Sequence, residues 1–224
     1  MDSCAVLDLR QYTLFPGRRD ELIELFDREF VEGQEAYGMH LCGQFRDLDD
    51  PDRFVWLRGF TSYAARAEAL EGFYSGPVWK QHAAAANATM KDSDDALLLR
   101  PVMLGEDWPT LDTPRLPLDT PPVVEPASVV AGAVYHRRSL DDGFLDYFRS
   151  EVVPHLPPLA GVFETLPAAN NFPALPLRDE TVLVWFARFA DDTAYRKYVE
   201  NRPALDGRRT QHLRLRPTAR SQFR

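Results

Sequence analysis

The chain has 224 residues, of which 45% are hydrophobic and 27% charged, a composition typical of soluble globular proteins. The net charge is −8 and is uneven, because residues 1–110 carry 11 Lys/Arg and 20 Asp/Glu, whereas residues 111–224 carry 15 and 14. An acidic first half argues against nucleic acid or an anionic membrane as a partner, because both require a basic surface.

The chain contains two cysteines, which are too few for a disulfide framework or a zinc knuckle. No basic segment followed by an apolar one begins the sequence, so no signal peptide is expected. No apolar run approaches the length needed to span a membrane. Together these features predict a cytoplasmic protein with reduced thiols and no membrane partner.

Hydrophobic periodicity and turn residues predict the order strand, helix, strand, strand, helix, strand in the first half of the chain. Within this half, Ser62 is a predicted helix N-cap, and Gly76-Pro77 separates two helices. The predicted strands cover 5–14, 39–48, 53–60 and 96–102, and the helices cover 18–35, 62–74 and 78–90.

A proline-rich stretch follows, with six of the 18 prolines between residues 104 and 127, and predicts an extended linker. The same order of elements then returns in shorter form, with Asp191 or Asp192 as a helix cap. The predicted strands are 129–138, 160–166, 181–189 and 211–216. We therefore divide the chain into a first unit at 1–103, a linker at 104–127 and a second unit at 128–224.

The repeat is clearest in the third strand of each half, Phe54–Phe60 against Leu183–Phe189. The βαββαβ order predicts an α+β fold of tandem ferredoxin-like units, each an antiparallel sheet with both helices on one face. Two such sheets placed face to face form an α/β barrel of the dimeric type, with the helices outside. The sheets could meet within one chain or across a dimer.

Alternation along the strands predicts which side chains face the barrel interior. On the third strand, Val55, Leu57 and Gly59 suit packing against helices, which leaves Trp56 and Arg58 for the interior. The residues predicted to bind a ligand there are Arg10, Tyr12, Gln44, Arg46, Trp56 and Arg58.

Arginine side chains hold anionic groups in fixed geometry, and aromatic rings stack on an apolar body, so this set indicates a site for an amphipathic anion or a carbonyl compound. Alternatively, the arginines pair with Asp8 and with carboxylates of the opposing sheet. The second half carries Trp185 but has Ala187 in place of Arg58, which makes its face more apolar.

No recognised catalytic motif or metal-ligand spacing occurs, so we expect no metal and no cofactor, and no enzymatic activity is indicated. The only candidates for proton transfer are His82, in the extra helix of the first half, and Tyr12.

Several long stretches of the first half occur in a fixed order, namely Leu9–Leu14 with Pro16-Gly17, Gly43–Phe45, Asp49–Phe60, Phe73–His82 and Asn87. On these stretches the first half resembles the NIPSNAP family over residues 5–102, and residues 128–217 resemble a degenerate second copy. The resemblance implies a ferredoxin-like, dimeric α/β-barrel fold, and it implies no particular reaction, because that family has no settled activity.

Three functions remain open at this stage. The first is a barrel that binds a small molecule in its cavity and associates as a homodimer or higher oligomer. The second is a cofactor-independent monooxygenase or isomerase, by analogy with other small α/β barrels. The third is an assembly module whose open face is filled by its partner.

Overall fold

The computed structural model describes residues 4–118, 127–201 and 209–224. Within these ranges, eight strands form a closed antiparallel barrel in the order β1-β3-β2-β8-β5-β7-β6-β4. The strands are β1 (Val6–Leu14), β2 (His40–Asp47), β3 (Arg53–Phe60), β4 (Met90–Leu104), β5 (Val129–His136), β6 (Leu159–Thr165), β7 (Val182–Phe189) and β8 (Thr210–Pro217).

Each half of the chain contributes four adjacent strands, and both halves place them in the order fourth, first, third, second. The halves join where β2 pairs with β8 and where β4 pairs with β6, so the barrel closes within one chain. Arg10 lies opposite Trp56 in the first half, and Ala133 lies opposite Trp185 in the second. The predicted antiparallel α/β barrel is therefore confirmed.

The helices lie outside the barrel, and two of them have the predicted N-cap residues. The Ala65 N–H donates to Ser62 Oγ at 3.0 Å, and the Ala194 N–H donates to Asp191 Oδ1 at 2.8 Å. None of the helices in the described ranges is both long and apolar enough to cross a membrane. They are α1 (Arg19–Leu25), a first π-helical segment (Phe26–Phe30), α2 (Val31–Glu35), α3 (Tyr63–Ser75), α4 (Pro77–Asn87), α5 (Phe144–Tyr147), a second π-helical segment (Phe148–Val152), a 3₁₀ turn (Val153–His155) and α6 (Asp192–Asn201).

The barrel interior is an apolar core to which all eight strands contribute and no helix does. Leu57, Phe163 and Phe186 are among its buried members. Trp108, from the segment after β4, and Phe223, near the C-terminus, pack into the same core with ring centroids 5.6 Å apart. The interior of this barrel is thus filled by side chains, as is usual for eight strands.

The predicted face assignment of β3 is wrong. Val55 and Leu57 belong to the barrel core, whereas Phe54 and Trp56 lie outside it, against the helices of their own half. A closed barrel excludes water and helices from its centre, so apolar side chains, both aliphatic and aromatic, fill it. The bulky indole and the arginines fit the layer between sheet and helices, where polar partners are available.

Strand β2 departs from simple alternation because it contains a bulge. Its register shifts between Leu41 and Gly43, and both Cys42 and Phe45 consequently join the barrel core. Such a bulge reverses the facing of every later residue relative to a regular strand.

Replacing Leu57, which is fully buried in the barrel core, with alanine should lower the free energy of unfolding by about 2–5 kcal/mol, because a cavity remains. The matched control is Leu111→Ala, at a side chain that is 48% exposed, with an expected change within about 0.5 kcal/mol. Urea denaturation of both variants measures the difference, and equal losses would contradict the assignment of the core.

Candidate functional site

A buried ionic cluster lies on the outer face of the first-half sheet, beneath α3. The Asp8 carboxylate on β1 accepts hydrogen bonds from Arg58 Nε at 3.1 Å and from Arg66 Nε at 2.9 Å, and all three side chains are fully buried. Arg58 also donates to Gln34 Oε1 at 2.9 Å, and Arg66 donates to Asn171 Oδ1 at 2.7 Å. The cluster therefore joins two strands, helix α2, helix α3 and the loop between β6 and β7.

Three guanidinium groups share one carboxylate in this layer. Burial opposes ionisation of Asp8, but Arg58, Arg66 and Arg10 together hold its pKa below the ordinary value of 3.8. Arg10 is also fully buried, and no ion pair to it occurs among the described residues. The ionised groups thus leave an excess of positive charge in a buried region, an arrangement that favours an anion.

Arg10 and Trp56, which lie opposite each other on β1 and β3, carry donors without acceptors. Arg10 donates from Nε to Tyr12 Oη at 3.0 Å and from Nη2 to the Ser93 carbonyl at 3.0 Å. Its Nη1 and the indole Nε1 of Trp56 are both buried and have no hydrogen-bond partner in the described part of the chain. Buried donors are almost always satisfied, so this pair is a candidate position for a hydrogen-bond acceptor from outside the chain.

A small cavity of about 30 Å³ adjoins Trp56 between the sheet and the helices. Its walls are mainly aromatic, and its polar lining atoms come from the tyrosines, Trp56 and Gln34. The lining residues are Tyr12, Leu22, Phe26, Phe30, Gln34, Trp56, Phe73, Tyr74, Trp79, Ala86 and Met90. A space of this size holds one or two water molecules.

The first π-helical segment shapes this cavity. It places Phe26 against Trp56, with ring centroids 4.9 Å apart, and Phe30 against Phe73 and Trp79 at 5.8 and 5.6 Å. A π-helical turn carries an extra residue relative to an α-helix and is frequent at functional sites.

The second half provides an internal comparison. Ala131, Ala133 and Ala187 occupy the register positions of Asp8, Arg10 and Arg58. There the indole N–H of Trp185 donates to Tyr135 Oη at 3.0 Å, so its donor is satisfied. The buried Asp8, Arg10 and Arg58 and the unsatisfied indole N–H thus occur together in the first half, whereas the equivalent positions of the second half carry alanines and a satisfied indole.

The structure brings together four of the six residues predicted to bind a ligand, but places them outside the barrel rather than inside it. Arg10, Tyr12, Trp56 and Arg58 all lie in the layer between sheet and helices. The prediction that these residues line a cavity inside the barrel is wrong, because apolar side chains of both halves fill the barrel interior.

Gln44 and Arg46 lie elsewhere. Gln44 Oε1 accepts from Arg115 Nη1 at 3.3 Å, and Arg46 Nε donates to Asp20 Oδ1 at 2.8 Å near the start of α1. His82 on α4 lies 3.5 Å from Glu29 Oε2, outside the cavity lining.

The alternative prediction that arginines pair with Asp8 is confirmed for Arg58. Sequence reasoning missed Arg66, although a signal existed. Arg66 stands three, four and seven residues before Ala69, Leu70 and Phe73, which are the buried residues of α3. A charged residue on the buried face of a helix requires a buried partner, and Asp8 is the one that the fold supplies.

No group of three or more His, Cys, Asp or Glu side chains within 4–118, 127–201 and 209–224 is arranged to hold a metal ion.

Comparison with protein families places the first half. Residues 7–103 match the NIPSNAP family model. A search of the curated proteins found no match.

Solved structures of similar fold include two full-length neighbours, each called "putative monooxygenase". One, from Fusobacterium nucleatum, is 8% identical in sequence. The alignment covers 97% of this chain and 94% of the neighbour's chain, with a TM-score of 0.59. The other, from Lactobacillus acidophilus, is 14% identical and covers 98% and 97%, with a TM-score of 0.52. A NIPSNAP-like domain protein from Burkholderia xenovorans is 22% identical over 49% of this chain and 95% of its own, with a TM-score of 0.43. At these identities the two full-length neighbours support the fold alone.

Replacing Asp8 with asparagine should lower the free energy of unfolding by about 3–5 kcal/mol at pH 7, because it leaves Arg58 and Arg66 buried without a counter-charge. The pKa of Asp8 is lowered in the folded state, so its contribution is present above the ordinary pKa of 3.8 and is lost as the pH falls through the folded value. Urea denaturation at several pH values should therefore show the wild-type advantage narrowing under acid conditions.

The matched control for this prediction is Asp146→Asn. Asp146 is 89% exposed and lies 3.8 Å from Arg149, so its replacement should change the stability by no more than about 0.5 kcal/mol. A wild-type advantage over Asp8→Asn that stays constant at all pH values would contradict the assigned role of Asp8.

Proposed function

Because residues 7–103 match the NIPSNAP family model, we propose that this protein binds a small amphipathic ligand with an anionic or carbonyl oxygen. The binding site is the layer between sheet and helices of the first half. In this proposal the two halves are tandem ferredoxin-like units, of which the first binds the ligand and the second completes the barrel.

The observation that carries the proposal is the unsatisfied Nη1 of buried Arg10, within a cluster of three guanidinium groups and one carboxylate. An oxygen atom of the ligand accepts from Arg10 Nη1 and from the neighbouring Trp56 Nε1. If both groups donate to one ligand atom, as this proposal requires, the ligand atom is best supplied by a carboxylate, an enolate or a strongly polarised carbonyl.

The aromatic walls determine the rest of the ligand. Phe26, Phe30 and Trp79 offer ring edges and faces to a flat apolar body, and aromatic groups pair well in such geometry. The cavity of about 30 Å³ holds only a water-sized molecule, so a larger ligand requires a wall to move. Helix α4 is the wall best suited to move, since Ala86 is its only fully buried residue.

Catalysis and pure assembly are the competing functions. Turnover of a bound carbonyl compound, with Tyr12 or His82 as the proton-transfer group, corresponds to the predicted monooxygenase or isomerase. An assembly module requires no ligand and would leave Arg10 unsatisfied. Incubation with each bound compound, followed by mass spectrometry of the products, distinguishes binding from turnover.

Self-association and a cytoplasmic location are also part of the proposal. Phe15, Met103 and Leu111 are large apolar side chains that are 46%, 44% and 48% exposed, and such surfaces favour contact with another copy. The two free cysteines suit a reducing compartment. Light scattering coupled to size-exclusion chromatography measures the oligomeric state.

Indole-3-acetate should raise the melting temperature of the protein in a dose-dependent manner, and its neutral analogue indole-3-ethanol should raise it less, because a carboxylate completes the Arg10 site. Benzoate and 2-naphthoate serve as smaller and larger carboxylate probes. Equal shifts for the acid and the alcohol, or no shift with any of the carboxylates, would contradict the proposal.

The variant Arg10→Met should weaken carboxylate binding at least about tenfold, which corresponds to the loss of one charge-assisted hydrogen bond. Arg46→Met is the matched control, because Arg46 pairs with Asp20 at the surface and should bind like the wild type. Trp56→Phe retains the ring, removes the N–H and should produce an intermediate loss in calorimetric titration.

A further inference from the structure

Two cysteines and a histidine meet at the end of the barrel where β1 and β2 begin. Cys4 Sγ lies 3.6 Å and Cys42 Sγ lies 3.7 Å from the same ring nitrogen, Nδ1 of His40. Cys4 lies two residues before the start of β1 and is partly exposed, whereas Cys42 on β2 is fully buried in the barrel core. The ring nitrogen thus faces an accessible sulfur and a buried one.

Gln222 fixes the orientation of the His40 ring through a hydrogen bond at Nε2. The Gln222 amide nitrogen donates to the Thr113 carbonyl at 2.5 Å, so its oxygen is the atom that lies 2.7 Å from His40 Nε2. An oxygen acceptor at Nε2 places the hydrogen of neutral His40 on Nε2 and leaves Nδ1 as an acceptor. His40 Nδ1 is therefore positioned to take a proton from a thiol, with Gln222 as the residue that orients the base.

The pKa values of the two thiols are shifted in opposite directions. A hydrogen bond from the Cys42 thiol, together with His40, lowers the pKa of Cys4 to about 5, although burial acts in the other direction. The hydrogen bond to Cys4 and complete burial raise the pKa of Cys42 well above its ordinary value. At neutral pH the pair therefore consists of a thiolate at Cys4 and a thiol at Cys42, and the thiolate is the reactive form.

Gly59 makes the contact possible. A Cβ atom at this position would lie 2.3 Å from Cys4 Sγ and 3.6 Å from Cys42 Sγ. Only a glycine on β3 therefore leaves space for the Cys4 side chain to cross the strand and reach Cys42.

We propose that Cys4 and Cys42 form a peroxide-reactive dithiol site, in which Cys4 is the attacking residue, Cys42 the resolving residue and His40 the base. The Cys4 thiolate attacks one oxygen of a peroxide, the O–O bond breaks, and the products are a sulfenic acid at Cys4 and hydroxide or alkoxide. The Cys42 thiol then attacks the Cys4 sulfur and loses its proton to His40. The sulfenic oxygen leaves with that proton as water, and a disulfide remains.

This site is independent of the proposed ligand site. Residues 58 and 59 are adjacent on β3, but their side chains point to opposite faces of the sheet, so Arg58 lies in the helix layer and Gly59 faces the barrel core. Loss of the Arg10 site therefore leaves the dithiol chemistry intact, and the two proposals fail separately.

The first test uses the full-length wild-type protein. Alkylation of Cys4 by iodoacetamide should follow a titration with a midpoint near 5, while Cys42 is labelled only after unfolding. Treatment with one equivalent of hydrogen peroxide should produce a Cys4–Cys42 disulfide, which peptide mapping identifies and dithiothreitol reverses. Alkylation of Cys4 with a midpoint near about 8.5, as for a free cysteine, would overturn the proposal, as would two intact thiols after peroxide treatment.

Variants separate the roles. Cys42→Ser should accumulate a sulfenic acid at Cys4 that dimedone traps, whereas Cys4→Ser should leave Cys42 as a thiol. His40→Asn should slow the alkylation of Cys4 at pH 6 at least tenfold, and Gly59→Ala should abolish disulfide formation by displacing Cys4. Circular dichroism verifies that each variant is folded. A dimedone adduct on Cys42 rather than Cys4, or unchanged rates in a folded His40→Asn, would contradict the assigned roles.

Discussion

The buried carboxylate of Asp8 is the group on which the first half depends. It binds Arg58 on the neighbouring strand and Arg66 on α3, and Arg66 continues to Asn171 in the loop between β6 and β7. One acidic side chain thus connects the sheet, a helix above it and a loop from the other half. Because removal of the anion would leave two buried cations uncompensated, the position of α3 over the sheet is energetically tied to the ionisation of Asp8.

This ionic network distinguishes the helix-facing layers of the two halves, although the halves share a topology. In the second half, alanines stand at the positions of Asp8, Arg10 and Arg58, so these three positions need no counter-charge, and aromatic rings pack in the layer beside them. Tyr135 is then available to accept from Trp185, whereas in the first half Arg10 occupies the hydroxyl of Tyr12. The two halves thus differ in the group that donates to the tyrosine hydroxyl, which is the indole in the second half and Arg10 in the first.

The order of the elements and several of their boundaries could be predicted because local signals determine them. Ser62 and Asp191 cap helices as expected, and β3 begins and ends at the predicted residues. Which face of each strand lies inside could not be derived in this way. Both faces of these strands are buried, and alternation then states only which residues share a face, not which face is inside.

The predicted site shows the same distinction at the level of single residues. Alternation correctly groups four of the predicted residues on one face of the sheet, namely Arg10, Tyr12, Trp56 and Arg58. It does not state whether that face lies inside or outside the barrel. Gln44 and Arg46 contact other partners because they lie towards the far end of a strand that contains a bulge. The π-helical segment at Phe26–Phe30 carries the residues that line the cavity, yet apolar spacing in that stretch fits a continuous α-helix equally well.

Strand β3 finally shows how one β-strand can serve two chemically different regions. Trp56 and Arg58 face the helix layer, while Leu57 and Gly59 face the barrel core. The cationic layer requires large polar side chains and an anionic partner, whereas the end of the core at Cys4 requires the absence of any side chain at residue 59. Since the sheet separates the two regions, the positive charge of the Arg58 cluster need not govern the Cys4 thiolate, and His40 and Cys42 supply its stabilisation instead.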